Sequence, residues 1–153
     1  MALGAEVVVE SSFLYDILVV EPKEISKRFE EVMHFNRMKE TCAYHDGSYM
    51  ARYIKDFEKP RQMLRPMFRR FIDMATNREL AKPVAPAHYP LGASEKTLEG
   101  IARWRIEELE DIGVDLVATS DPQSNAAFKK YWHEDRVFSL PEVLLKNYVE
   151  KIK

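Results

Sequence analysis

Hydrophobic positions along the 153-residue chain follow two alternating patterns. Continuous apolar runs, rich in β-branched residues, predict buried strands, and longer stretches with apolar residues three or four apart predict helices. Strands that alternate with helices favour an α/β fold, here with a parallel sheet of about four to five strands flanked by helices in Rossmann-like layers. The predicted strands are residues 6–10, 41–44, 115–120 and 137–139, and the predicted helices begin near Pro22, Pro60, Ser94, Pro122 and Pro141.

The helix after Ser94 has the clearest ends. Ser94 is a good N-cap, the apolar periodicity continues to Ile112, and Gly113 suits the left-handed C-cap. The helix from Pro22 to about Met38 shows an equally regular apolar face. Elsewhere residues 71–74 fit either a strand or the end of the preceding helix, and the prolines within 82–92 predict a loop.

Composition indicates one domain. The chain is 46% hydrophobic and 31% charged, which is ordinary for a globular protein. A net charge of −2 argues against nucleic-acid binding. The longest apolar run, residues 13–20, is short and broken by Asp16, so no membrane span is expected, and the acidic start argues against a signal peptide.

Three arginines lie at helical spacing, with a fourth beside them: Arg61, Arg65 and Arg69, with Arg70. We interpret this stripe of arginines as a solvated helix face.

Cys42 is the single cysteine, so no internal disulfide forms, and we expect a reducing cytoplasmic location. Its position inside a predicted strand favours a buried structural thiol. The alternative is a reactive thiol that carries a persulfide or forms a mixed disulfide with a partner, which requires exposure and a lowered pKa.

Three loops follow predicted strands: residues 45–48, the proline-rich loop around 83–85, and residues 121–124. Ligands of open α/β sheets bind beyond the carboxyl ends of the strands. We therefore expect these loops to converge on one pocket.

The same three loops carry a resemblance to a known family. Tyr44-His45-Asp46 precedes Ser48, Asn77-Arg78-Glu79 precedes Pro83-Val84-Ala85, and Gly113-Val114-Asp115 leads to Asp121-Pro122-Gln123-Ser124. This ordered set resembles the cysteine-rich CCG domain of heterodisulfide reductase subunits and of glycolate or lactate oxidase iron–sulfur subunits. The resemblance covers about residues 7–148, and a weak echo between residues 7–12 and 136–141 agrees with descent from a duplicated ancestor.

The resemblance implies an iron–sulfur cluster held by cysteines, but all five cysteines are absent here. Serine and aspartate oxygens are hard ligands, and proline and valine have no side-chain donor. We therefore expect no cofactor and no resident metal. The vacated cluster positions are Ser48, Pro83, Val84, Asp121 and Ser124.

Two interpretations of the vacated pocket remain. In the first, its polar groups bind zinc or a small anion. In the second, they form hydrogen bonds with one another and with the loop backbones, which is the more common outcome. These groups are His45, Asp46, Ser48, His88, Asp121 and Ser124.

The resemblance implies a cluster-free, non-catalytic subunit that docks to other subunits of a heterodisulfide-reductase-like electron-transfer complex. One alternative is an oxidoreductase subunit that contributes Cys42 or the polar pocket to a shared site. Another is a small-molecule or metal-binding module that uses the vacated pocket. The expected partners are redox-complex proteins rather than nucleic acid or membrane, and a homo-oligomer is compatible with the sequence.

Overall fold

A computed structural model describes residues 37–85 and 93–152. Its sheet has four strands in these ranges: β1 (Met38–His45), β2 (Phe68–Asp73), β3 (Leu116–Thr119) and β4 (Val137–Ser139). All adjacent pairs are parallel, and the order is β2-β1-β3-β4. The predicted α/β fold with a parallel sheet is confirmed.

Four α-helices cover the sheet within the described ranges: α1 (Glu58–Leu64), α2 (Glu95–Ile112), α3 (Pro122–Tyr131) and α4 (Leu140–Ile152). Shorter helical turns connect them to the strands. A π-helical turn spans Met50–Ile54, and 3₁₀ turns span Arg65–Met67, Arg78–Leu80 and Glu134–Arg136.

The central strands, β1 from Thr41 onward and β3, are buried on both faces. Cys42 and Leu116 point to a core formed with α1 and α4, and Ala43 and Val117 point to a second core formed with α2 and α3. Burial on both faces requires uninterrupted apolar strands, which explains why these strands lack polar alternation in the sequence.

The predicted helix ends are confirmed in the parts that the structure describes. The side chain of Ser94 accepts a hydrogen bond from the Thr97 N–H at 3.2 Å. Gly113 closes α2 with φ of 63°, in the left-handed region where glycine is unstrained. Asp121 caps α3 through the Ser124 N–H at 3.1 Å, and Pro122 occupies the first turn.

Several boundaries differ from the predictions. Met38 begins β1 rather than ending the helix predicted from Pro22, because its side chain packs into the core beside Cys42. Phe71 belongs to β2, which resolves the choice between strand and helix. The strand predicted at 6–10 and the helix predicted from Pro22, as far as residue 36, lie outside the described residues. No helix in the described ranges is both long enough and apolar enough to cross a bilayer.

Candidate functional site

The loops that leave β1 and β3 meet at the carboxyl edge of the sheet. His45 pairs in register with Thr119, so the loops that begin at Asp46 and at Ser120 leave the sheet side by side. A Cβ added to Gly47 would lie 2.5 Å from the Asp121 Cβ, a separation that real atoms do not adopt. Glycine at position 47 therefore permits this close approach.

A chain of hydrogen bonds joins the two loops to α2. Arg105 donates from Nε to His45 Nδ1 over 3.1 Å, and His45 Nε2 lies 3.1 Å from Ser124 Oγ. Arginine has no acceptor atom, so Nδ1 of His45 accepts and its proton resides on Nε2. His45 then donates to Ser124, and Ser124 donates to Asp121.

This direction of donation excludes a hydrolase-type triad. A nucleophilic serine requires a histidine that accepts its proton and an acid that orients the histidine. Here an arginine occupies the place of the acid, and His45 donates to Ser124. The serine is therefore positioned but not activated.

His45 is held neutral. Its side chain is fully buried and packs edge-on against Phe128, with ring centroids 5.0 Å apart. Burial, and then the positive charge of Arg105, lower the pKa of His45 well below its usual value. A neutral ring agrees with one donated and one accepted hydrogen bond.

Asp46 is bound to a buried arginine. Arg61 forms a bidentate pair with it, at 2.7 Å and 2.6 Å, and also donates to Asp73 at 2.6 Å. Burial alone would lower the pKa of Arg61, but the hydrogen bonds that it donates to Asp46 and then to Asp73, together with their negative charges, raise it overall. The second oxygen of Asp46 also accepts the Arg78 N–H at 2.8 Å.

The prediction of a solvated arginine stripe is wrong. Arg61 is completely buried, whereas Arg65 is half-exposed and lies 3.4 Å from Asp73. Arg69 and Arg70 are exposed but belong to β2 rather than to a helix, because the helical segment ends at Met67. The four residues therefore share no single face.

The second loop packs against α3. Val84 and Ala85 are buried in the core that contains Phe128, and both line a cavity of about 380 Å³ together with Gln123 and Leu98. The cavity lining is mainly apolar. Its other members are Ala126, Ala127, Lys130 and Tyr131.

The structure joins two of the three predicted loops through one hydrogen-bonded chain, which contains His45, Asp121 and Ser124. Val84, from the proline-rich loop, lines a cavity together with Gln123 of α3. Asp46 faces Arg61 instead of the His45–Ser124 chain. Ser48 and Pro83 are half-buried, and His88 lies outside the described residues.

The donor set does not fit an iron–sulfur cluster. No vacated position has a thiolate, and the buried Cys42 lies within β1, where it hydrogen-bonds the Ala43 carbonyl oxygen. Within the described ranges no three His, Cys, Asp or Glu side chains are grouped as metal ligands need to be. Both ring nitrogens of His45 are already engaged, and so are the carboxylates of Asp46 and Asp121.

Sequence reasoning missed the buried arginines. Arg105 falls on the apolar stripe of α2, where the same turn also offers Trp104. The tryptophan is 56% exposed and the arginine is fully buried. The sequence signal for a buried arginine is a charged residue at an apolar position of the helix. Because a buried charge requires partners, such a residue also predicts polar groups that meet it in the fold.

No protein-family model, no curated protein and no solved structure matches the chain.

Proposed function

We propose that this protein is a cluster-free, non-catalytic CCG-like domain that acts as a structural or docking subunit of a heterodisulfide-reductase-like electron-transfer complex. One observation carries the proposal. At the carboxyl edge of the sheet, two of the five positions that resemble the cluster ligands, Asp121 and Ser124, bind each other and His45 of the first loop. A third position, Val84, lines a cavity beside α3.

The energetics of this edge support a structural role. The chain from Arg105 through His45 and Ser124 to Asp121 engages both ring nitrogens of His45 and the hydroxyl of Ser124, so these groups are not free to bind a substrate. Opening it would expose buried polar groups without partners, which costs about 1–3 kcal/mol for each group. The edge is therefore built to remain closed.

The alternative that assigns chemistry to Cys42 is disfavoured by its surroundings. The thiol is completely buried in the core that the sheet forms with α1 and α4, and burial raises its pKa above the usual value. A nucleophilic thiol requires the opposite, exposure and a lowered pKa. A partner would have to open the core between the sheet and these helices to reach it.

Iron analysis tests the loss of the cluster. Purified protein, treated anaerobically with ferrous iron and sulfide, is expected to remain colourless and free of iron after desalting. The matched variant restores cysteines at all five positions (S48C, P83C, V84C, D121C and S124C) and is expected to retain iron if these positions converge as ligands. Brown, iron-loaded wild-type protein would contradict the proposal.

Affinity purification from the source cell tests the docking role. The chain, tagged at its carboxyl terminus, is expected to bring down redox subunits that contain flavin or iron–sulfur cofactors. Recovery of the chain without any redox subunit, under conditions that preserve electron-transfer complexes, would count against the proposal.

A second candidate function is small-molecule binding, favoured by the cavity beside Val84 and Gln123. Its volume of about 380 Å³ lies within the range of ligand pockets, and its lining is mainly apolar. A thermal-shift screen with small apolar compounds tests it, because a ligand that binds only the folded state raises the melting temperature. The A126W variant, which fills the cavity, should abolish any shift.

A further inference from the structure

The cavity beside α3 has an apolar floor and a rim that reaches solvent. Val84 and Ala85 are its buried members, and the half-buried Leu98 and Ala127 extend the apolar wall toward the surface. Gln123, on the first turn of α3, is exposed. A ligand can therefore enter from solvent and bury an apolar body against the floor.

Two hydrogen-bond donors from the end of α3 belong to this cavity. Its lining follows α3 from Gln123 to Tyr131, about 12 Å at the rise of an α-helix. At the far end Lys130 Nζ lies 2.5 Å, and the Tyr131 hydroxyl 2.6 Å, from the same oxygen of Glu95, which belongs to the first turn of α2. These two lining side chains are therefore arranged to hold one carboxylate oxygen.

The charge at this end of the cavity matches a single carboxylate. Lys130 is the one charged side chain among the described residues that line the cavity, and its hydrogen bond with Glu95 raises its pKa, so it is a cation at neutral pH. The Tyr131 hydroxyl adds one neutral donor. A phosphate dianion or an organic cation would leave charge uncompensated beside the apolar floor, which is costly.

Glu95 is easily replaced at these donors. Its side chain is 62% exposed and that of Lys130 is 57% exposed, so they form a surface ion pair, which contributes little to stability. A ligand carboxylate in this position would accept the same two hydrogen bonds from Lys130 and Tyr131, and the carboxylate of Glu95 would pass into water. Because this exchange costs little, burial of the ligand's apolar part would drive binding.

We infer that this cavity binds a small apolar monocarboxylate, whose carboxylate takes the place of Glu95 at Lys130 and Tyr131 and whose hydrocarbon part lies against Val84 and Leu98. The inference rests on the second candidate function, small-molecule binding in this cavity, and deepens it by naming the class of ligand. Glu95 is then an internal competitor for the ligand's carboxylate position.

Matched acids and amides test the class of ligand. Phenylacetate and octanoate are titrated into nitrogen-15-labelled protein and followed by the backbone amide signals of α3. Phenylacetamide and octanamide are the controls, because they keep the same apolar part without the charge. At least one acid is expected to bind with a Kd about tenfold below that of its amide, since hydrogen bonds to a charged group are the stronger ones. Equal affinity of acid and amide would overturn the inference.

Variants of the ion pair test the position of the carboxylate. K130M should raise the Kd of the acid about tenfold and leave that of the amide unchanged, because only the acid meets the ammonium group. K129M is the matched control, since Lys129 pairs with Glu142 of α4 at 3.3 Å and does not line the cavity. E95Q should lower the Kd of the acid several-fold, because it removes the competing carboxylate. An acid affinity that changes in neither K130M nor E95Q would overturn the inference.

The ligand class and the binding function fail differently. If amides bind as tightly as acids and A126W abolishes both, the class of ligand is wrong and small-molecule binding in the cavity stands. If no probe binds, or if A126W leaves the affinity for the acid unchanged, both are wrong. None of these results alters the docking function, which the affinity purification tests separately.

Discussion

Arg105 and His45 are joined by a hydrogen bond of 3.1 Å from the guanidinium Nε to the imidazole Nδ1, although they lie 60 residues apart in the sequence. This contact determines which nitrogen of His45 holds the proton. It therefore determines the direction of the hydrogen bonds that connect β1 to the start of α3.

The tautomer of His45 is directly measurable. Because Arg105 only donates, we expect the neutral ring to have its proton on Nε2. Long-range proton–nitrogen correlation spectra of labelled protein at neutral pH should show the Nε2–H tautomer for His45. A proton on Nδ1 would show that the arginine contact does not form in solution.

Loss of the Arg105 guanidinium should destabilise the fold. R105M removes the donors to His45 and to the Thr76 carbonyl oxygen and leaves Glu108 without this cation, so we expect a loss of about 2–3 kcal/mol in the free energy of unfolding. R103M on the same helix is the control, because that side chain is 54% exposed and its ion pair spans 3.8 Å. Its effect should stay below about 0.5 kcal/mol in urea denaturation.

Stability should depend on pH through His45. The pKa of His45 is lowered in the folded state, so the unfolded chain binds more protons as pH falls below its unfolded pKa of about 6.5. The free energy of unfolding should then decrease by up to about 1.4 kcal/mol per pH unit on acidification. Urea titrations from neutral pH downward measure this slope.

H45Q supplies the comparison for that titration. Every other titratable group is common to both proteins, so the difference between their slopes isolates His45. If the free energies of unfolding of the two proteins changed in parallel with pH, at pH values above the range in which carboxylates titrate, the His45 ring would be protonated in the folded state as readily as in the unfolded chain.

Gly47 and Gly100 should respond in opposite directions to alanine. A Cβ at position 47 would contact the Asp121 side chain at its Cβ, so G47A should cost about 1–3 kcal/mol of stability. Position 100 lies in α2 with nothing within 4 Å of the added carbon, so G100A should stabilise by about 0.5–1 kcal/mol. Thermal or urea unfolding of both variants measures the contrast, and a neutral G47A would mean that the two loops are farther apart.

Cys42 should resist thiol reagents in the native protein. Burial raises the pKa of its thiol, and no surface path reaches a side chain that is completely buried. Labelling should therefore proceed only through opening of the core and follow the free energy of unfolding in increasing urea. Rapid stoichiometric labelling of folded protein without denaturant would favour the shared-site alternative.

The element pattern was readable because its causes are local. Ser94 and Gly113 mark the ends of α2 through bonds to backbone groups three to five residues away, and Pro122 needs only the first turn of its own helix. Continuous apolar strands likewise indicated burial on both faces of a parallel sheet. The local pattern at Met38 fits either the end of a helix or the start of a strand. The prediction of a helix end is wrong because the side chain of Met38 packs beside Cys42 in the core of the sheet.

The sequence alone determined the alternation of strands and helices outside β2, the caps of α2, and the absence of thiolates from the loops that resemble cluster ligands, since each depends on neighbouring residues or on residue type. Only the tertiary structure decided that Arg61 and Arg105 are buried, that Asp46 binds Arg61, and that His45 donates to Ser124. These choices depend on residues 15 to 79 positions apart meeting at one sheet edge, where a buried charge must find its partner.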